Sequence, residues 1–202
     1  MAHIRSLSRC ALMSALLASS MGALAQGAGP PSARDGSAAP QVASALSLSD
    51  RNFVQNAAQG GKAEVELGRM AQERAAHSQV KAFGERMLVD HGKANAKLLQ
   101  LVSSKGVPLP AQPSHSHAMD AARLGKLSGI EFDMAYMKHM IDDDKKDVAA
   151  FEKAAQSAQD AEVKAFAMRT LPTLRAHLLQ AQTAYNTLRK QPAPNVLPPA
   201  WR

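Results

Sequence analysis

Four residues able to ligate a metal interrupt the apolar stripes of four long helical stretches, one on each: Glu64, His91, Asp144 and His177. Two carboxylates and two imidazoles form a donor set suited to a divalent cation. In a helical core such groups must be paired, hydrated or given a metal, because desolvating them alone costs several kcal/mol. Two readings therefore stand side by side. A Glu–His and an Asp–His pair would fix the register of a bundle, whereas a shared cation would draw all four together. The readings differ in charge: a buried carboxylate holds a paired histidine protonated, while a metal requires the imidazole neutral.

The elements that must carry these residues are helices. No run of β-branched residues alternates with period two, and apolar residues recur at spacings of three and four throughout the central region. A first helix is expected from Ser49 to Ala76, capped by Ser49 or Asp50, with Phe53, Ala57, Gly60, Glu64, Leu67 and Ala71 on one face. A second opens at Ser78 and stops before Gly106, aligning Val80, Phe83, Met87, His91, Leu98 and Leu101. A third starts near Ser128 with Ile130, Met134, Met137, Ile141, Asp144, Val148 and Phe151 in line. The fourth starts near Asp160, with Val163, Phe166, Thr170, Leu174, His177, Ala181 and Leu188.

Depth along a hairpin can be counted from its turn. Glu64 before His77 and His91 after it are almost equally far from that residue along the chain, so the two are level. Asp144 stands nearer to Gln159 than His177 does, by just under one helical turn, a mismatch of roughly 4 to 5 Å at the helical rise. Each hairpin is thus expected to face a carboxylate with an imidazole. A weak internal repeat accompanies this: Val80-Lys81-Ala82-Phe83 recurs as Val163-Lys164-Ala165-Phe166, each opening a second helix. Gly60-Gly61 and Pro172 sit near the same depth, where they should loosen or kink their helices or allow close packing.

Other clusters carry less. His115-Ser116-His117 belongs to the connection after Gly106 and reads as a solvated loop. Met134, Met137 and Met140 with His139 form a thioether set attractive to Cu(I), although core filling explains the methionines on the stripe. Asp142-Asp143-Asp144 before Lys145-Lys146 is a charged turn of helix in which only Asp144 should point inward.

The flanks suggest export. Arg5 and Arg9 precede an apolar run from Cys10 to Ala18, and Ala23-Leu24-Ala25 provides a cleavage context, so residues 1–25 read as a signal peptide and the mature protein as periplasmic or secreted. The run is too short to span a bilayer, and no later segment can do so. Residues 26–47 read as a flexible linker, 48–190 as the bundle domain, and 191–202 as a Pro-rich tail in which Trp201 is loosely packed. The chain's one cysteine, Cys10, falls in the signal, which excludes disulfides, thiolate catalysis and cysteine-ligated zinc from the mature protein. Removing Arg5 and Arg9 lowers the formal charge from +7 to +5. The remaining basic residues are scattered and lack interleaved aromatics, which argues against nucleic-acid binding. No hydrolase elbow, phosphate-cradling loop or dinucleotide fingerprint is present, and no partner can be named.

Several segments together resemble the exported bacterial family known as domain of unknown function 4142, placed among ferritin-like bundles. They are Gly60-Gly61-Lys62-Ala63-Glu64, Val80-Lys81-Ala82-Phe83, Asp90-His91, Gly106-Val107-Pro108-Leu109-Pro110, Phe132-Asp133 with Tyr136, and Leu171-Pro172 with His177-Leu178. The resemblance covers about Leu48 to Leu188 and implies an all-α, ferritin-like four-helix bundle with a long crossover, Val107 to Leu127, containing a short helix near Met119 to Leu127. It implies no particular activity. The family tends to place His where this chain has Asp144. The Glu-x-x-His pairs of di-iron bundles are absent, since neither Glu85 nor Glu131 has His three residues on. Three functions are therefore expected to compete: binding of a divalent metal or small ligand at the polar layer, ferritin-like oxidation chemistry, or a metal-free scaffold of the cell envelope.

Overall fold

The computed structural model describes residues 45–190, and the expected signal peptide, most of the linker, the Pro-rich tail, Cys10 and Trp201 lie outside them. Five helices follow in order: α1 Leu48–Arg74, α2 Ser78–Ser103, α3 His115–Leu124, α4 Gly129–Ser157 and α5 Ala161–Lys190. No strand occurs among the described residues. The four long helices form two hairpins, α1 with α2 and α4 with α5, joined by a crossover that carries α3.

Two aspartates lock the hairpins together. Asp50 near the start of α1 accepts the backbone N–H of Gln159 (3.0 Å) and Asp160 (2.8 Å) in the α4–α5 turn. Asp133 near the start of α4 accepts those of Ala76 (3.2 Å) and His77 (2.8 Å) in the α1–α2 turn. The interval from Asp50 to Asp133 is also the interval from Ala76 to Gln159, His77 to Asp160, Val80 to Val163 and Phe83 to Phe166. The short sequence echo is thus the visible part of a hairpin repeat with one constant offset. Each hairpin closes the other's turn, so α1 runs antiparallel to α4 and α2 antiparallel to α5. Asp50 is therefore not the cap of its own helix; Ser47 is, its Oγ accepting Asp50 N at 3.1 Å.

The crossover starts where Gly106 takes φ 63, a left-handed conformation that ends α2 without a Cβ penalty. Lys62 Nζ then holds the loop against α1 by donating to the carbonyls of Pro110 (2.8 Å) and Ala111 (3.0 Å). The short helix begins earlier than expected, because Ser114 caps it through His117 N at 3.3 Å; His115 and His117 are helical rather than in a loop. Both α1 and α5 run unbroken through Gly60-Gly61 and Pro172. At Gly61 the reason is close packing, since a Cβ there would lie 2.3 Å from Asn95 Oδ1.

The apolar core is divided. One cluster, including Leu67, Phe83, Met87, Phe132, Met140 and Ala181, fills the end near the α1–α2 turn. The other, including Ala58, Leu98, Phe151, Phe166 and Leu174, fills the opposite end. On each long helix the position between the clusters holds Glu64, His91, Asp144 or His177. The expected stripes are shifted in places: Val54 and Ala58 are buried while Phe53 and Ala57 are half-buried, and Ile130 is exposed. Asp143, expected on the surface, is buried together with Asp144.

Candidate metal centre

All four residues are inside the bundle, with exposures of 0 % for Glu64, Asp144 and His177 and 4 % for His91. Apolar residues one turn or so away on each helix hold them there: Leu67 beside Glu64, Met87 beside His91, Met140 beside Asp144 and Leu174 beside His177. The first level-matched pair is present. His91 Nδ1 lies 2.7 Å from Glu64 Oε2, a short contact that is not aligned as a hydrogen bond, so both Glu64 oxygens remain unpartnered.

The second pairing differs from expectation. His177 Nε2 meets Asp90 Oδ2 at 2.9 Å, across the seam between α5 and α2, and not Asp144 on its own hairpin. The α4–α5 turn is held by Asp50, and His177 takes the carboxylate on the neighbouring helix. Asp144 keeps two buried oxygens with no hydrogen-bond partner. The imidazoles of His91 and His177 stand with ring centroids 5.3 Å apart and planes inclined by 40°.

Burial dominates the charge states. It pushes Glu64 well above the usual carboxylate range, with the nearby Asp143 adding to the shift. It pushes Asp144 up to about 9, reinforced by Glu64, Asp147 and Asp143. His177 falls to about 4 and His91 is also lowered, both mainly through desolvation. The expectation that a buried carboxylate would hold its histidine protonated is thus corrected: desolvation outweighs the pairing, and the imidazoles are neutral, the form that can ligate. Asp90 remains an ordinary ionised carboxylate, its pKa lowered although desolvation opposes this, because His177 and Arg86 bond to it. An ionised carboxylate only accepts, so the His177 proton sits on Nε2 and the lone pair on Nδ1.

The open donor atoms are consequently His91 Nε2, His177 Nδ1, both oxygens of Glu64 and Asp144, and the Tyr136 hydroxyl. Apart from the Tyr136 hydroxyl, every buried side-chain N or O atom without a hydrogen-bond partner among the described residues belongs to the four central residues. As the side chains stand, no group of three or more His, Cys, Asp or Glu residues among the described residues is arranged to hold a metal ion. His115 and His117 are elsewhere, on α3, and Met137 and Met140 are core residues of the apolar cluster.

Sequence reasoning named the four central residues and missed Asp90, Asp143 and Asp147 as their neighbours. Asp147 was detectable: it follows Glu64 by the same interval that relates the two hairpins. Asp90 gave no such signal, because its partner His177 lies on another helix at a different interval.

Fold and layer together define an all-α, ferritin-like four-helix bundle whose core is split by a buried polar section. The chain belongs to the family described as Domain of unknown function (DUF4142), whose model matches residues 35–184. Among solved structures it is similar to a DUF305 fragment from Deinococcus radiodurans, with 17% identity, a TM-score of 0.62, and coverage of 73% of this chain and 100% of that one. It is also similar to CopM in the Cu(II)-bound form, with 16% identity, a TM-score of 0.59, and coverage of 68% and 96%. At these identities the likeness establishes the fold alone. No curated protein matches the sequence. No helix among the described residues is long and apolar enough to cross a membrane.

Proposed function

We propose that the mature chain is an exported, non-enzymatic binding protein that takes one divalent cation into the layer formed by Glu64, His91, Asp144 and His177. The observation that carries this reading is that, apart from the Tyr136 hydroxyl, every buried, unpartnered side-chain polar atom among the described residues belongs to those four residues. A cation would satisfy them together, since it accepts lone pairs from neutral imidazoles and stabilises carboxylates that burial otherwise keeps protonated. Binding requires the side chains to turn toward a common point and releases the protons of Asp144 and Glu64. The fold likeness to CopM supports the reading to this extent, that a bundle of similar fold has been found with Cu(II). Export rests on residues 1–25, with Arg5 and Arg9 before the apolar run.

The test is elemental analysis of untagged protein purified from its own compartment, followed by thermal unfolding with chelator and with added Zn, Mn, Fe or Cu. Bound metal, or a rise in Tm with one of these ions that Asp144→Asn removes, supports the reading. No bound metal and no change of Tm with any of them would sink it.

One contact favours a second reading, a metal-free scaffold in which polar residues set register. The 2.7 Å approach of His91 to Glu64 joins α1 to α2 at one depth. That reading requires a double replacement of Glu64 and His91 by apolar residues to cost much less stability than either single one.

A further inference from the structure

The hairpin repeat singles out a carboxylate the proposed cation set does not contain. Glu64 follows Asp50 by the same interval at which Asp147 follows Asp133. Because each aspartate is bonded to the opposite hairpin's turn, the two intervals run from opposite ends of the antiparallel pair α1 and α4. Each interval is close to half the span from Asp50 to Ala76, so at the helical rise Glu64 and Asp147 come to the same depth within about 3 Å. They occupy corresponding places on the two helices, at the level of the polar layer.

The surroundings of Asp147 differ from those of Glu64. Asp147 is partly exposed and lines a groove of about 310 Å³ between α1 and α4, together with Asn52, Phe53, Asn56 and Phe151. The groove runs from the α4–α5 turn to mid-height. Opposite Asp147 stands the buried Gly60, where an added Cβ would be 4.0 Å from Asp147 Oδ1 and meet nothing else. Inward, Asp147 is electrostatically coupled to Glu64, Asp143 and His91.

The opposite seam, between α2 and α5, has the wrong sign for a cation. Asp90 there shares a small cavity with Lys93, Lys97 and Arg169, and Arg86 lies 3.3 Å from its carboxylate. On the α1–α4 side the charged lining residues are Asp147, Lys153 and Asp50, whose carboxylate is already bonded to backbone N–H groups.

We propose that Asp147 is the outer carboxylate of the cation site, the repeat counterpart of Glu64, and that a divalent cation reaches the buried layer through the α1–α4 groove beside Gly60. This rests on the layer binding a cation. A carboxylate at a narrow, low-dielectric mouth concentrates cations and raises their rate of entry, an effect on the order of 10 to 1,000-fold in charged clefts. A side chain at position 60 would pack against that carboxylate.

The experiment is stopped-flow association of Zn(II) with the mature chain, paired with equilibrium titration, for the native protein, Asp147→Asn, Gly60→Leu, and Asp142→Asn as an exposed carboxylate control on the same helix. Circular dichroism verifies that each is folded. Asp147→Asn is expected to slow association by roughly tenfold or more and to weaken affinity. Gly60→Leu, which removes no carboxylate or imidazole but packs against Asp147, is expected to slow association to a similar degree, and Asp142→Asn is expected to change neither rate nor affinity. Native rates in both Asp147→Asn and Gly60→Leu overturn the entry route; if Asp144→Asn still abolishes binding, the cation layer itself stands. A folded native chain that takes up no Zn(II) overturns both.

Discussion

His177 Nε2 and Asp90 Oδ2 are joined at 2.9 Å across the seam between α5 and α2, so a fully buried imidazole is held by a carboxylate that reaches the surface. The bond decides which ring nitrogen faces the core. Replacing Asp90 by Ala frees the ring to exchange tautomers and leaves a buried N–H without an acceptor. Cation affinity is expected to fall roughly 10 to 100-fold, as when a carboxylate that orients a ligating histidine is removed. Stability should drop by about 1 to 3 kcal/mol. Nitrogen NMR of His177 checks the cause, since a tautomer pattern unchanged in Asp90→Ala contradicts it.

Burial pushes the Glu64 carboxyl well above its ordinary range, which favours the neutral form, and a glutamine has nearly the shape of a protonated glutamic acid. Glu64→Gln should therefore change stability at pH 7 by less than about 1 kcal/mol in the presence of chelator, well below the cost of about 3 to 5 kcal/mol for stranding a buried charge. Divalent-cation binding should weaken at the same time. A large loss of stability in urea would mean that Glu64 is ionised in the folded chain.

Stability in chelator should depend on pH with a defined sign. Asp144 stands at about 9 in the folded chain against an ordinary 3.8, so the folded state keeps a proton the unfolded state has lost, and stability falls as pH rises from about 4 toward 9. His177 has the opposite sense: at about 4 against 6.5, it costs stability as pH falls below 6.5. The slopes offset between those limits, and above pH 6.5 only the carboxyl loss remains, at no more than about 1.4 kcal/mol per pH unit for each group. Glu64 and Asp147, both raised, act in the same direction as Asp144. Urea unfolding between pH 6.5 and 9 reads this directly, and Asp144→Asn should flatten the decline; stability that climbs over that range would contradict the assignment. A bound cation, by displacing the protons, should reduce the decline.

Asp50 on α1 and Asp133 on α4 serve the two turns in the same way from opposite ends of the bundle, about 40 Å apart at the helical rise. Asp50→Ala and Asp133→Ala should each cost about 1 to 3 kcal/mol, since each strands two backbone N–H groups. Their double replacement should cost the sum within about 0.5 kcal/mol, as expected of distant sites. A markedly unequal pair in chemical denaturation would mean that the hairpin repeat is not carried into energetics.

Much of this protein was legible because helices impose a short period. The spacing of apolar residues placed the four long helices close to their observed ends, and the polar interruptions at Glu64, His91, Asp144 and His177 were visible for the same reason. Counting from the His77 turn even brought Glu64 and His91 together, since rise per residue is nearly constant within a hairpin. Whatever depends on how one hairpin lies against the other was not legible. The His177–Asp90 bond, the approach of Asp143 to Glu64 and the groove beside Asp147 each involve residues of both hairpins, whose turns Asp50 and Asp133 pin from far away in the chain. Charge state was likewise decided by the tertiary structure: sequence pairs a carboxylate with an imidazole and suggests an ion pair, whereas exclusion of water from the layer makes the neutral forms prevail.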